Sequence, residues 1–346
     1  MVFYSAQVAT QSFPKHSRSD EELLDLLVGR GLSVPDPTSA LQDLRTHGYH
    51  RLGGYRYPLR RLLPDDEQRP DQRRFRSDEF IEGACHDDVM RLYAFDRRLR
   101  EVVLRGVLEY EVRLRSALIG VVSERGAYAH LDQPHESLDP EKTSHTPKEG
   151  SDTLLDRWAT TVAQATHDAR QTDAVTHHLV AYPDTHLPIW ITLDIVSFGS
   201  LPYFMDLMHD EDRNDVAQLF GVRNGKALTR WTRAFVDLRN VCAHNLRLFN
   251  SNVKRVLAVR PSEVPKGAPL HIPEPTSRKI YTHLVLLAYV LRSHAAGSQW
   301  HRSLRTQVRK FPAGIMDGSG VMMDLTVMGF PEDWDRLDPW QDNARV

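Results

Sequence analysis

Apolar residues recur at helical spacing along most of the chain. The strongest run is 87–122, where Leu92, Phe95, Leu99, Val102, Val103, Val107, Tyr110, Leu114, Ala117, Leu118 and Val121 keep one stripe with no proline. One helix over that span is roughly 50 Å long at 1.5 Å per residue. Glu109 with Arg113, and Glu111 with Arg115, stand one turn apart and support it. A second run, 225–250, carries Phe235, Leu238, Cys242, Leu246 and Phe249 at the same period, with Asn240, His244 and Arg247 on roughly the opposite face.

Shorter patterns fill the rest. Ser19 and Glu22 have capping-box spacing, so a helix is expected over 19–30, with Gly31 as its stop. Pro35, Asp36 and Pro37 make a turn before a second helix, Thr38 to His47. The segment from Tyr49 to Pro58 is read as a turn around a glycine pair, and 132–153, rich in Pro, His, Ser and charge, as a mobile surface loop. Helices are expected again over 154–173, 187–201, 202–220, 277–295 and 300–310. The prolines of 261–275 leave no helix there. The pattern predicts an all-α protein, divided into an N-terminal helical and basic extension (1–80) and a helical domain (81–346).

Composition narrows the classes. With 346 residues, 26% charged and 41% hydrophobic, the chain is globular rather than disordered. Net charge is −2, so any surface for nucleic acid must be local. Between Arg45 and Arg76 nine arginines face four acids, a surplus of five. Tyr49, Arg51, Tyr55, Arg56, Arg60, Arg61, Arg73 and Arg74 are candidate RNA contacts, arginines on phosphates and tyrosines stacking on unpaired bases. A solvated loop packed by its own tyrosines fits the same residues. Two cysteines, Cys85 and Cys242, suggest neither a disulfide framework nor a zinc site. His47 and His50 have no cysteine or carboxylate placed beside them, so no metal site is read, and no cofactor is expected. Met1 to Lys15 lacks the basic-then-apolar order of a secretory leader, and no run of about 18 apolar residues exists; a cytoplasmic protein without a membrane span is expected.

The chemistry concentrates at Arg239, Asn240 and His244. Arg239 neighbours Asn240 on the helical wheel, one turn below His244. A neutral imidazole can take the proton of a ribose 2′-hydroxyl, and an imidazolium can protonate the leaving 5′-oxygen. A guanidinium offers forked donors to the phosphate, and an amide orients the ring or donates to the phosphate. The 2′-hydroxyl is an internal nucleophile, so the reaction needs no metal. A helix-surface histidine that is merely solvated fits the spacing as well.

Arg-Asn-Val-Cys-Ala-His, Arg239 to His244, resembles the Arg-x4-6-His motif of HEPN ribonucleases. The continuation to Asn250, the Tyr49–Tyr57 stretch, the long helix from Tyr93, Leu187-Pro-Ile-Trp190 with Ser197-Phe-Gly199, and the tail Met328–Trp334 are similar to the Abi-like (AbiD/AbiF) branch of bacterial abortive-infection proteins. Asn245 departs from the pattern, since a second histidine after the first is common in relatives. The resemblance implies a HEPN-type helical bundle and a metal-independent endoribonuclease that leaves 2′,3′-cyclic phosphate ends in anti-phage defence. It also implies a homodimer placing two motifs across one cleft, and RNA as substrate, with a structured non-coding RNA as a further partner. It places an acid of the long helix near the motif. Glu111 fits that place, though a surface salt bridge explains it equally. Arg97, Arg98, Arg100 and Arg247 join the candidate RNA contacts. A non-catalytic RNA-binding or regulatory module of the same fold is the alternative, and a protein-interaction scaffold a third reading.

Overall fold

The computed structural model describes residues 17–72, 74–148, 150–268, 270–271, 278–295, 297–338 and 340–342. Arg73, the Met1–Lys15 segment, and Pro269, Pro273 and Pro275 of the proline-rich stretch lie outside them. Among the described residues there are thirteen α-helices and one two-stranded sheet, so the fold is all-α in class. The chain forms two compact units: residues up to Ala94 with Pro312–Met323, and Phe95–Phe311 with Asp324–Val346. The border falls inside the long helix rather than at residue 80.

In the first unit, α1 (Asp20–Gly29) opens on the expected capping box: the Glu22 amide donates to Ser19 Oγ (3.2 Å) and the Ser19 amide to Glu22 Oε2 (2.8 Å). Helix α2 (Pro37–His47) is capped by Asp36, which accepts from the Thr38 and Ser39 amides. The tyrosine-glycine stretch is not a turn. Gly48, at φ +81°, separates α2 from a third helix, α3 (Tyr49–Arg56), which carries the glycine pair within it. Leu52, Tyr55, Arg56 and Leu59 are buried, so this segment carries its own apolar stripe. Two short strands, β1 (Arg60–Leu62) and β2 (Arg76–Phe80), pair antiparallel with Arg60 opposite Phe80; the all-helical reading did not anticipate them. Gly318 packs against this hairpin, accepting from the Leu62 amide (2.8 Å) and donating to Pro58 (2.7 Å); a Cβ there would strike the Arg60 carbonyl.

Helix α4 (His86–Val122) has 37 residues, about 55 Å. In the second unit its stripe, Phe95, Leu99, Val103, Val107, Tyr110, Leu114 and Leu118, is buried. The loop after it contains the short α5 (Pro140–Thr143) and is anchored rather than free: Leu138 is buried, and the Asp139 amide donates to Leu207 (3.0 Å). Then come α6 (Leu154–Ala169), α7 (Asp173–Ala181) and α8 (Ile189–Ile195). The expected helix over 202–220 is two, α9 (Leu201–Leu207) and α10 (Asp210–Gln218). Met208 and His209 are extended between them, and Asp210, Glu211 and Asp212 suit the start of a new helix.

Helix α11 (Gly225–Ala243) starts where Asn224 accepts from the Ala227 amide (3.1 Å). It runs antiparallel to α4. The Tyr110 hydroxyl meets Thr232 Oγ1 at 2.6 Å, with its ring edge-on to Phe235. Helix α12 (Tyr281–Ser293) is buried all round from Tyr281 to Leu291, and α13 (Trp300–Val308) follows. The tail packs back as expected: Phe330 lies 4.8 Å from the Tyr281 ring. No described helix is long and apolar enough to cross a membrane.

Candidate active site

Helix α11 was expected to reach Asn250, and it stops at Ala243. Asn245 adopts φ +53°, the left-handed region that asparagine tolerates better than most residues. Its amide donates to Cys242 (3.1 Å) and that of Leu246 to Val241 (2.9 Å), the paired bonds of a Schellman ending. The departure at Asn245 is thus the residue that closes the helix. Phe235, Leu238, Cys242 and Phe249 are buried, but Leu246 is 55% exposed, because beyond His244 the helical period no longer applies.

His244 therefore occupies the last turn. Its amide donates to the Asn240 carbonyl at 3.0 Å. Its side chain is exposed and has no hydrogen-bond partner among the described residues. Arg239 and Asn240 are half-buried, and Arg239 Nη1 donates to Asn240 Oδ1 at 3.0 Å, which fixes the side-chain amide. All three residues lie in the final turns of α11 and its C-cap. Arg247 is half-buried beyond the turn, 3.5 Å from the Asn250 carbonyl. Lys279 Nζ donates to Asn250 Oδ1 at 2.8 Å, and burial, with the Arg247 charge nearby, holds that lysine below its usual range. Lys279 is a cation beside Arg247 that no motif spacing pointed to.

The acid of α4 at this site is Asp96, not Glu111. Asp96 is fully buried, paired with Arg100, and accepts from the backbone amides of Leu248 (3.3 Å) and Phe249 (2.6 Å). It ties down the loop that follows His244. Glu111 lies further along α4 by roughly 22 Å at the helical rise. It pairs with Arg115 at 2.5 Å, and Arg115 donates to the carbonyls of Leu193 and Val196 at the end of α8. Glu111 is in a salt bridge, but a largely enclosed one and not the surface pair of the alternative. Arg100, only 4% exposed, is no RNA contact, whereas Arg97 and Arg98 beside Asp96 are exposed. Burial pushes the Cys242 thiol up to about 12, with the Asp96 charge adding to it, so it is inert packing.

The candidates of the first unit divide. Tyr55 and Arg56 are buried and cannot meet RNA. Arg56 sits over the Tyr49 ring at 4.3 Å and donates to the Tyr49 carbonyl at 2.6 Å; burial lowers its pKa to about 10. Arg51, Arg61 and Arg74 are exposed, Tyr49 and Arg60 half-buried. Acids outside the counted window offset the surplus: Arg60 pairs with Asp78 (2.9 Å), Arg61 with Glu79 (3.8 Å), Arg45 with Glu21 (2.6 Å) and Arg76 with Asp317 (3.4 Å). The His47 ring packs at a tilt against Tyr93, centroids 4.5 Å apart.

A cavity of about 300 Å³ adjoins the motif, lined by Asn240, Asp237, Leu246, Arg255 and His283 among others. Asp237 pairs with Arg255 at 2.7 Å and lies 3.7 Å from Lys254. Burial pushes the His283 imidazole down to about 4, so it is neutral at ordinary pH. Asp237 falls one turn before Val241 on the same helix face, a spacing visible in the sequence; His283 comes from α12 and was not.

A family model described as Abi-like protein matches residues 42–250, more than half of the chain. No curated protein and no solved structure matches it.

Proposed function

The chain belongs to the Abi-like protein family, and on that premise we propose that it is a metal-independent endoribonuclease with His244 at its centre. Family membership supports a role in abortive-infection defence. The observation that carries the nuclease reading is the exposed His244 imidazole at the end of α11, one turn above an Asn240 whose amide is held by Arg239.

The chemistry is a transesterification. The 2′-oxygen attacks phosphorus as its proton passes to a neutral imidazole. The P–O5′ bond breaks, and the 5′-oxygen takes a proton from an imidazolium. The products are a 2′,3′-cyclic phosphate and a 5′-hydroxyl, with no net redox change. Arg239, and the Arg247 and Lys279 cations beyond the turn, stabilise the charge that grows on the non-bridging oxygens. One chain supplies one histidine here. Separate acid and base groups then call for two chains, and we read the active form as a HEPN-type homodimer with two motifs across one cleft. The exposed Arg97 and Arg98 guide the RNA backbone.

An RNA with a single 2′-deoxy substitution at the cleaved position tests the mechanism. Cleavage there should vanish, and the unsubstituted RNA should give cyclic phosphate ends. Cleavage of the deoxy substrate would overturn it. Tight, salt-sensitive RNA binding with no cleavage would favour the regulatory module instead.

A further inference from the structure

The cavity beside Asn240 has a mixed lining. Leu238, Val241, Leu246 and Ile280 give it apolar walls, while Asp237 and Arg255 bring opposite charges to it. Its volume of about 300 Å³ lies at the small end of ligand sites, room for one base rather than a longer stretch of chain. Asp237 and Arg255 are 20% and 43% exposed and pair at 2.7 Å, so both charged groups stand at the cavity wall. Lys254, 75% exposed, stands beside them.

We propose that this cavity is the specificity pocket of the site and takes a guanine base of RNA next to the cleaved bond, read by Asp237 and Arg255. The reading rests on matched donors and acceptors. Guanine presents the N1–H and N2–H donors side by side, which suit a carboxylate, and the O6 and N7 acceptors, which suit a guanidinium. Adenine and cytosine present one amino donor beside an acceptor, and uracil one N–H between two carbonyls. Each sets a lone pair against the carboxylate. The apolar walls cover the faces of the base, and Lys254 is placed for its phosphate. Asn240 lines the pocket and carries the His244 amide bond, so a base held there lies about one helical turn from the imidazole.

This inference rests on the ribonuclease reading for its choice of RNA, and the test separates the two. The four nucleoside 5′-monophosphates would be titrated by NMR into wild type, His244→Ala, Asp237→Asn and Lys254→Glu, and the same proteins assayed for RNA cleavage. Guanosine monophosphate should bind wild type and His244→Ala roughly tenfold or more tighter than the others. Asp237→Asn should erase that preference. Lys254→Glu should weaken all four while preserving it, which shows that the folded pocket survives substitution at its rim. Equal binding of the four, no binding by folded wild type, or an unchanged preference in Asp237→Asn would overturn the pocket. RNA cleavage alongside that result would leave the nuclease standing. Guanine preference without RNA cleavage would uphold the pocket and sink the nuclease.

Discussion

The carboxylate of Asp96 accepts the backbone N–H of Phe249 at 2.6 Å, in the loop that follows His244. Asp96 thereby couples the long helix α4 to the end of α11, with Arg100 neutralising it in the interior. Asp96→Ala removes the carboxylate of a buried ion pair and takes the acceptor from two amides. The expected loss is about 3–5 kcal/mol in urea unfolding, against a few tenths for Arg97→Ala on the exposed side of the same turn. Equal effects of the two would remove Asp96 from its positioning role.

Asn245 closes α11 through a left-handed backbone. Asn245→Gly should be neutral within about 0.5 kcal/mol, since glycine enters that region freely. Asn245→Val should cost about 1–2 kcal/mol and displace His244, lowering cleavage further than stability accounts for. Urea melts and cleavage rates of both variants decide it; a valine as benign as glycine would contradict the geometry.

Much of this site was legible in the sequence. The long helix, the capping box at Ser19, and the gathering of Arg239, Asn240 and His244 follow from helical period alone. What was missed has physical reasons. Asp96 and Arg100 form an i,i+4 pair inside the apolar stripe of Phe95 and Leu99, a sign of a buried ion pair, whereas Glu111 and Arg115 drew attention as an ordinary helix pair. Leu52, Tyr55, Arg56 and Leu59 hold helical spacing, which marks Arg56 as interior, but the glycine pair read as a turn. The end of α11 depends on the backbone sign at Asn245, and asparagine, though a poor helix former, does not by itself mark a helix end. His283 reaches the pocket from a distant part of the chain, beyond any local spacing.

Acid should unfold the protein through its buried histidines. His130 and His283 are each pushed down to about 4 by burial, with a His186 charge adding at His130. In the unfolded chain they titrate near 6.5. Between those values the unfolded state holds protons that the folded state refuses. Stability therefore falls as pH drops from about 6.5 to about 4 and is unaffected by these groups above 6.5. Each contributes a slope of roughly 1.4 kcal/mol per pH unit in that window. Urea melts across it check this; a flat profile from pH 6.5 down to 4 would contradict the buried neutral state.

Gly106 lies under the indole of Trp300, and a Cβ there would overlap the ring. Trp300 Nε1 donates to the Val102 carbonyl at 2.7 Å, so the ring is not free to retreat. Gly106→Ala should lose about 1–3 kcal/mol despite alanine's better helix propensity, whereas Gly120→Ala, in open space on the same helix, should gain up to about 1 kcal/mol. Thermal melts of the two variants should move in opposite directions.

The most direct test is RNA cleavage in EDTA by wild type and His244→Ala, with circular dichroism to confirm that both are folded. The account predicts cleavage by wild type and a loss of roughly 10²–10⁴-fold in the variant. Equal cleavage by the two proteins would contradict it.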